Sequence, residues 1–247
     1  MEQKPLISIG EAAKKMHISI DTLRRWDNEG RFPAVRLSGK RFYRASDIEK
    51  YLAKLTIAEV DIFEAAKKWA SNNSATEPDQ LFYCKDSSVF QYRLHKLENA
   101  LSGIAKIRDS FPLLTSITGE IGNNSFDHNI GQWPDIPGIF FGYDIERREI
   151  VLADRGQGIL ATLKRVKKEL SSDAEALRVA FTEIISGRSP EARGNGLKYV
   201  KEVVMENDIY LFFQTGNAGL ELEKGDQALN IIKVDNHIRG CIALIKF

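Results

Sequence analysis

The chain has little cysteine: two residues in 247, Cys84 and Cys241, far apart along the sequence. A pair so sparse excludes a disulfide-stapled scaffold and a cysteine-ligated zinc cluster, and leaves two free thiols. The sequence also lacks any apolar run approaching the ~20 residues that a membrane-spanning helix needs. Its first residues, Met-Glu-Gln-Lys-Pro, lack the charged-then-apolar plan of a secretion signal. These absences point to a cytoplasmic protein with no membrane partner. An excess of one charge is missing too, since 35 Lys+Arg face 34 Asp+Glu. What is present is a globular mixture, 43% hydrophobic and 28% charged, long enough for one large or two ordinary domains.

The balanced charge hides an asymmetry. Residues 1–55 hold 12 Lys+Arg and 7 Asp+Glu, whereas the remainder holds 23 and 27. A basic module before an acidic one suits a polyanion such as double-stranded DNA, although five charges also serve ordinary solubility. Within the module, Ser8 with Glu11 reads as a capping box that opens a helix over 7–16, with Ile9, Ala12, Ala13 and Met16 on one face. A second helix follows over 20–29, with Ser19 as N-cap and Gly30 at its end. Ile20, Leu23 and Trp26 face inward there, and Asp21, Thr22, Arg24 and Arg25 face solvent. Residues 34–37 and 41–44, around Ser38-Gly39-Lys40, read as a basic hairpin, and Ser46 with Glu49 opens a helix through 55. Helix, turn, helix, hairpin, helix is the winged-helix order.

On the strings SIGEAAKKMHISIDTLRRWDNEG and RFYRASDIEKYL, residues 7–55 resemble the DNA-binding module of the MerR and excisionase group of winged-helix proteins. The resemblance implies that Thr22, Arg24 and Arg25 face bases and that Lys40, Arg41 and Tyr43 of the wing hold phosphates. A winged helix reused for contact with a protein partner is the other reading of the module.

Residues 56–70 carry an apolar stripe, Ile57, Val60, Phe63, Ala66 and Trp69, against a charged face. The polar stretch 71–78 then breaks the pattern, dividing the chain into 1–55, a connecting helix and linker over 56–77, and 78–247. The stripe suits a homodimer, since relatives of the DNA module commonly pair through a following helix, or packing on one of the two domains. Both remain open.

In the second domain, 81–84 reads as a strand and 90–107 as an amphipathic helix bearing a solvated His95. A helix over 113–128 puts Glu120, Asn124 and His128 on one face by i, i+4 spacing, with Asn123 and Asp127 adjoining. A hard cation such as Mg²⁺ takes oxygen ligands and keeps several waters, so one Asn carbonyl beside nucleotide phosphates is a sufficient protein ligand. A strand over 148–153 delivers Asp154 into a turn that Gly156 and Gly158 keep tight, and Gly194-Asn-Gly196-Leu197 opens a helix over 198–205 whose N-terminus suits phosphate.

In this order the three motifs resemble the N box and two glycine boxes of the GHKL superfamily, the ATP-binding domains of gyrase, heat-shock chaperones and histidine kinases. The resemblance implies an α/β two-layer sandwich of the Bergerat type, a mixed sheet with helices on one face, binding ATP and Mg²⁺. Asn124 would hold the metal, with Asp127 and His128 beside it, and Glu120 would handle water as the catalytic carboxylate. Asp154 would recognise adenine, with Gly156 and Gly158 shaping its pocket. Gly194, Gly196 and Leu197 would close the phosphate end with Arg193 and Arg188, and the lid would lie within 159–193. Where relatives often supply a Thr near adenine, this chain has Arg239-Gly240-Cys241. A second domain that would donate a phosphate-sensing Lys is not expected after Phe247, so turnover is expected to be slow. Together the two resemblances imply an ATP-binding transcriptional regulator, with a protein kinase acting on a partner, or a slow ATPase timer, as alternatives.

Overall fold

The computed structural model describes residues 5–16, 18–54, 60–74, 76–184 and 195–247. The chain divides into two compact units, Met1–Val60 and Asp61–Phe247.

The first unit runs β1 (Leu6–Ser8), α1 (Ile9–Lys15), α2 (Ile20–Asn28), β2 (Val35–Leu37), β3 (Lys40–Arg44) and α3 (Ala45–Lys54). The Ser8–Glu11 capping box forms, and Ser19 caps α2 by accepting from the Thr22 N–H. In the hairpin Leu37 pairs with Lys40 across Ser38 and Gly39, whose φ angles of 49° and 76° are the left-handed values that a two-residue turn of matching twist requires. Two details differ from expectation. Residues 6–8 are a strand on β3, giving the sheet order β1-β3-β2, because a three-residue edge is defined by its distant partner and leaves no local period. The last helix begins at Ala45, so Ser46 lies inside it and not at its cap. Ala12, Ala13, Met16, Leu23, Trp26 and Ile48 form the buried core.

The second unit opens with α4 (Ile62–Ser71), then β4 (Tyr83–Cys84), α5 (Ser87–Ser102), α6 (Phe111–Asn129), β5 (Ile139–Asp144), β6 (Glu149–Asp154), α7 (Gly158–Leu163), α8 (Asp173–Thr182), α9 (Gly196–Glu206), β7 (Tyr210–Leu222) and β8 (Asn230–Lys246). The sheet has the order β4-β5-β6-β8-β7 and every pairing among the described residues is antiparallel, which corrects the expected mixed sheet. Short connections join β5 to β6 and β7 to β8, and a parallel pair would need a long crossover in their place.

One face of the sheet, with Phe141, Leu152, Ala243 and Phe213, packs under the helical layer that contributes Phe90, Ile121, Phe181 and Val200. The other face is covered as well, by α4, whose Trp69 meets Phe140 and whose Phe63 meets Phe212 edge-on at 5.7 Å. Helices on one face only is therefore corrected to cover on both. The physical reason is that β5 and β6 are apolar on both sides, as the uninterrupted runs Ile139-Phe-Phe and Ile150-Val-Leu-Ala imply, and each side must be kept from water.

Helix α4 also moves the boundary between units. Asp61 caps it by accepting from the N–H groups of Phe63 and Glu64, and Ile62, Ala66 and Trp69 are buried. It is thus the first element of the second unit, not a connector, and of the two uses open to its apolar stripe the described residues show packing on its own domain. Part of the 159–193 segment is likewise core, since α8 buries Leu177 and Phe181 completely.

Candidate functional site

The first unit presents its cations on α2 and the wing. Thr22 is half-buried, its hydroxyl 2.8 Å from that of Ser19 at the cap. Arg24 and Arg25 are exposed, the first 2.9 Å from Asp21 and the second 3.9 Å from Glu29. Exposed pairs of this kind contribute little, so either guanidinium can exchange a carboxylate for a phosphate at small cost. Lys40 is exposed beside the wing turn.

Two assignments in the wing are corrected. Tyr43 is 1% exposed and its hydroxyl donates to the Leu23 carbonyl at 3.3 Å, so it belongs to the core and does not reach a phosphate. Arg41 donates from Nε to Asp27 at 2.6 Å and from Nη2 to Asn28 at 3.0 Å, which ties β3 to the end of α2. Asp27 also accepts from the Ala34 N–H, the main reason its carboxyl titrates below the usual range, with Arg41 next. Arg36, the register partner of Arg41, was not anticipated; it is exposed and reaches Asp27 at 2.8 Å. A cation directly opposite another across a hairpin was the available signal.

In the second unit the three motifs converge. Asp154 ends β6 on the side of the helical layer and is 2% exposed. One carboxylate oxygen accepts from the Gly156 N–H at 2.8 Å and the other from the Ser125 hydroxyl at 2.8 Å. Burial pushes its carboxyl up to about 6, against the opposing pull of these donors. Asn129, buried on α6, accepts from the Gln157 N–H at 2.9 Å and donates to the Ser125 carbonyl at 2.7 Å, clamping the turn after Asp154. A Cβ at Gly156 would collide with that Asn129 amide. Gly158 has φ +76°, and a Cβ there would fall 2.9 Å from the Arg239 carbonyl, so both glycines are required by close approach.

The opposite wall comes from α6 and α9. A Cβ at Gly196 would lie 2.6 Å from a Glu120 carboxylate oxygen and 3.2 Å from the Asn124 amide, which places the entrance of α9 directly against both side chains. Asn124, His128, Asp154, Gly158, Gly196 and Leu197 line one cavity. His128 is held below its ordinary range by burial and then by the nearby Arg165, both of which disfavour the charged ring. Asp127 is exposed and lies outside the lining, a correction that follows from its place on the outer side of α6. Arg188, Arg193 and Gly194 lie outside the described residues.

Ser125 and Asn129 were missed, although with Ile121 they make an i, i+4 stripe in which polar residues replace apolar ones on the inner side of α6. On the neighbouring strand Thr215 pairs with Cys241 in register, accepts from the Ile159 N–H at 3.1 Å and donates to the Gly240 carbonyl at 3.2 Å, and it does not line the cavity that Asp154 lines. No group of three or more His, Cys, Asp or Glu suited to a metal occurs among the described residues. Nor is any described helix long and apolar enough to cross a membrane.

Residues 8–43 match the model of the MerR family regulatory proteins, while no curated protein matches the chain. Capped α1, turn, capped α2 and the cationic hairpin are the structural content of that match, and the first unit therefore carries a MerR-family helix-turn-helix, the DNA-binding element of a transcription regulator.

Proposed function

We propose that the chain is a DNA-binding transcription regulator whose second unit binds Mg-ATP, and that the bound nucleotide modulates binding of DNA or of a protein partner. One observation carries the nucleotide part: a buried carboxylate, an amide beside a glutamate, and a glycine helix entrance line or abut one cavity although they come from residues 120–129, 154–158 and 196–197. Asp154, when ionised, is acceptor-only, and it would receive the hydrogen bond of the adenine exocyclic amine. Gly156 and Gly158 hold the backbone that presents it.

The residues present also fit the metal. Asn124 offers a single carbonyl oxygen, which suits a Mg²⁺ whose other ligands are phosphate oxygens and water. The bound metal would neutralise phosphate charge. The N-terminus of α9 faces the same end, and Asn195 gives it no side-chain cap, so its first N–H groups suit phosphate. Glu120, packed against Gly196, would orient a water there.

Ligand can bias DNA binding only through different affinities for two states of the protein. The test is the affinity of the full chain for a double-stranded site selected from a random pool, measured across salt with and without Mg-ATP. A shift in affinity supports regulation, and identical affinities and salt slopes defeat it. Phosphate release and labelling of added proteins in the same samples would report hydrolysis or transfer.

A further inference from the structure

We propose that Arg155 couples the nucleotide cavity to helix α4, so that ligand held at Asp154 tightens the first helix of the second unit onto its sheet. This rests on the nucleotide reading and assigns it a regulatory route.

Consecutive side chains of an extended strand point to opposite faces. Asp154 faces the cavity, so its neighbour Arg155 crosses to the side that α4 covers. There it is 1% exposed, the only arginine buried so deeply among the described residues. Its Nη1 donates to the Trp69 carbonyl at 2.6 Å and the Asn72 carbonyl at 2.7 Å, groups at the end of α4 of which the first otherwise accepts only a long bond from the Asn72 N–H at 3.4 Å. Its Nη2 donates to Asp135 at 2.7 Å, and the guanidinium lies 5.9 Å from the Trp69 ring. A buried guanidinium is tolerated only with its charge paired and its donors engaged, so the docked position of α4 and the placement of Arg155 require each other.

The same backbone is fixed from the other side by Asp154, through its bond to the Gly156 N–H and the Asn129 clamp on Gln157. A ligand that accepts this arrangement of Asp154 favours the backbone that Arg155 needs to hold α4. By reciprocity, loosening α4 weakens the ligand by the same factor. Helix α4 follows Val60, where the first unit ends, so its docking is the covalent entrance to the DNA-binding unit.

The test is hydrogen exchange of the full chain with and without saturating Mg-ADP, read as the ratio of rates for the amides of residues 62–71. A purely structural pin would change absolute rates but not the response to nucleotide. In the wild type Mg-ADP is expected to slow these amides by about fivefold or more. In Arg155→Lys, which keeps the charge but not the fork that spans two carbonyls and a carboxylate, slowing is expected to fall below about twofold. Asp135→Asn, which leaves both carbonyl bonds in place, provides a second variant if the first does not fold, and is expected to show about half the wild-type slowing. The proposal is overturned if wild-type α4 exchanges equally with and without bound Mg-ADP, or if a folded variant keeps the full response. Binding without slowing removes this inference alone, whereas absence of binding removes the nucleotide reading with it.

Discussion

Tyr43 and Asp154 are both almost completely buried polar side chains, one in each unit, and they behave in opposite ways. The Tyr43 hydroxyl is closed on the protein by its bond to the Leu23 carbonyl. In the same unit Asp27 gathers Arg36, Arg41 and the Ala34 N–H, so the polar groups of the wing's base hold α2 to the hairpin. Exposed charge, including that on Arg24, Arg25 and Lys40, is what the unit offers an anionic partner. Asp154 instead lines a cavity, and its carboxylate has acceptor capacity beyond Gly156, Ser125 and the Cys241 backbone. Its raised pKa means that the empty fold is less stable for carrying it ionised. Burial closed by internal bonds is explained by the fold alone, whereas burial that lines a cavity at a destabilising charge is not.

The sharpest way to break this contrast is at the turn. Gly156→Val would drive a branched side chain into the Asn129 amide, and is expected to lower stability by about 3 kcal/mol in urea unfolding. A loss under about 1 kcal/mol would show that the clamp is not needed.

Asp154→Asn should move stability the other way, by up to about 3 kcal/mol at pH 7, following a pKa raised from 3.8 to about 6. Because the folded carboxyl holds its proton to higher pH than the unfolded one, its contribution is full below about 4 and is lost as pH rises to about 6. The difference between wild type and variant should therefore grow across that window and be flat above it, as chemical unfolding at several pH values would reveal.

In the first unit the effects are smaller. Tyr43→Phe removes one buried hydrogen bond and should cost about 1 kcal/mol in thermal unfolding, with DNA affinity unchanged. Lys40→Ala should leave stability within about 0.5 kcal/mol, weaken binding to all DNA sequences by a similar factor, and lower the salt slope by about 1. Reversed behaviour of these two variants would undo the assignment of wing residues.

Much of this was legible where the signal is local. The Ser8–Glu11 box, the Ser19 cap, the Ser38-Gly39 turn and the Glu120, Asn124, His128 face all rest on interactions within a few residues, and each is found where its spacing puts it. The rest depends on partners far along the chain. Strand 6–8 exists because of 42–44, and the antiparallel sheet because β8 inserts between β6 and β7. That Arg155 serves α4 while Asp154 serves the cavity needed the identity of both faces of β6, which no periodicity in the short stretch Asp154-Arg155-Gly156 encodes. Tyr43 shows the converse: an aromatic on a basic hairpin reads as a phosphate contact until the core beneath the hairpin is known.

The central claim is that distant segments build one adenine-reading cavity, and calorimetric titration of the full chain with Mg-ATP, beside Asp154→Asn, tests it most directly. The account predicts saturable binding by the wild type, at least about 100-fold weaker binding by the variant, and rejection of Mg-GTP by a similar margin. Absence of binding by the folded wild type, or equal affinity in the variant, would contradict it.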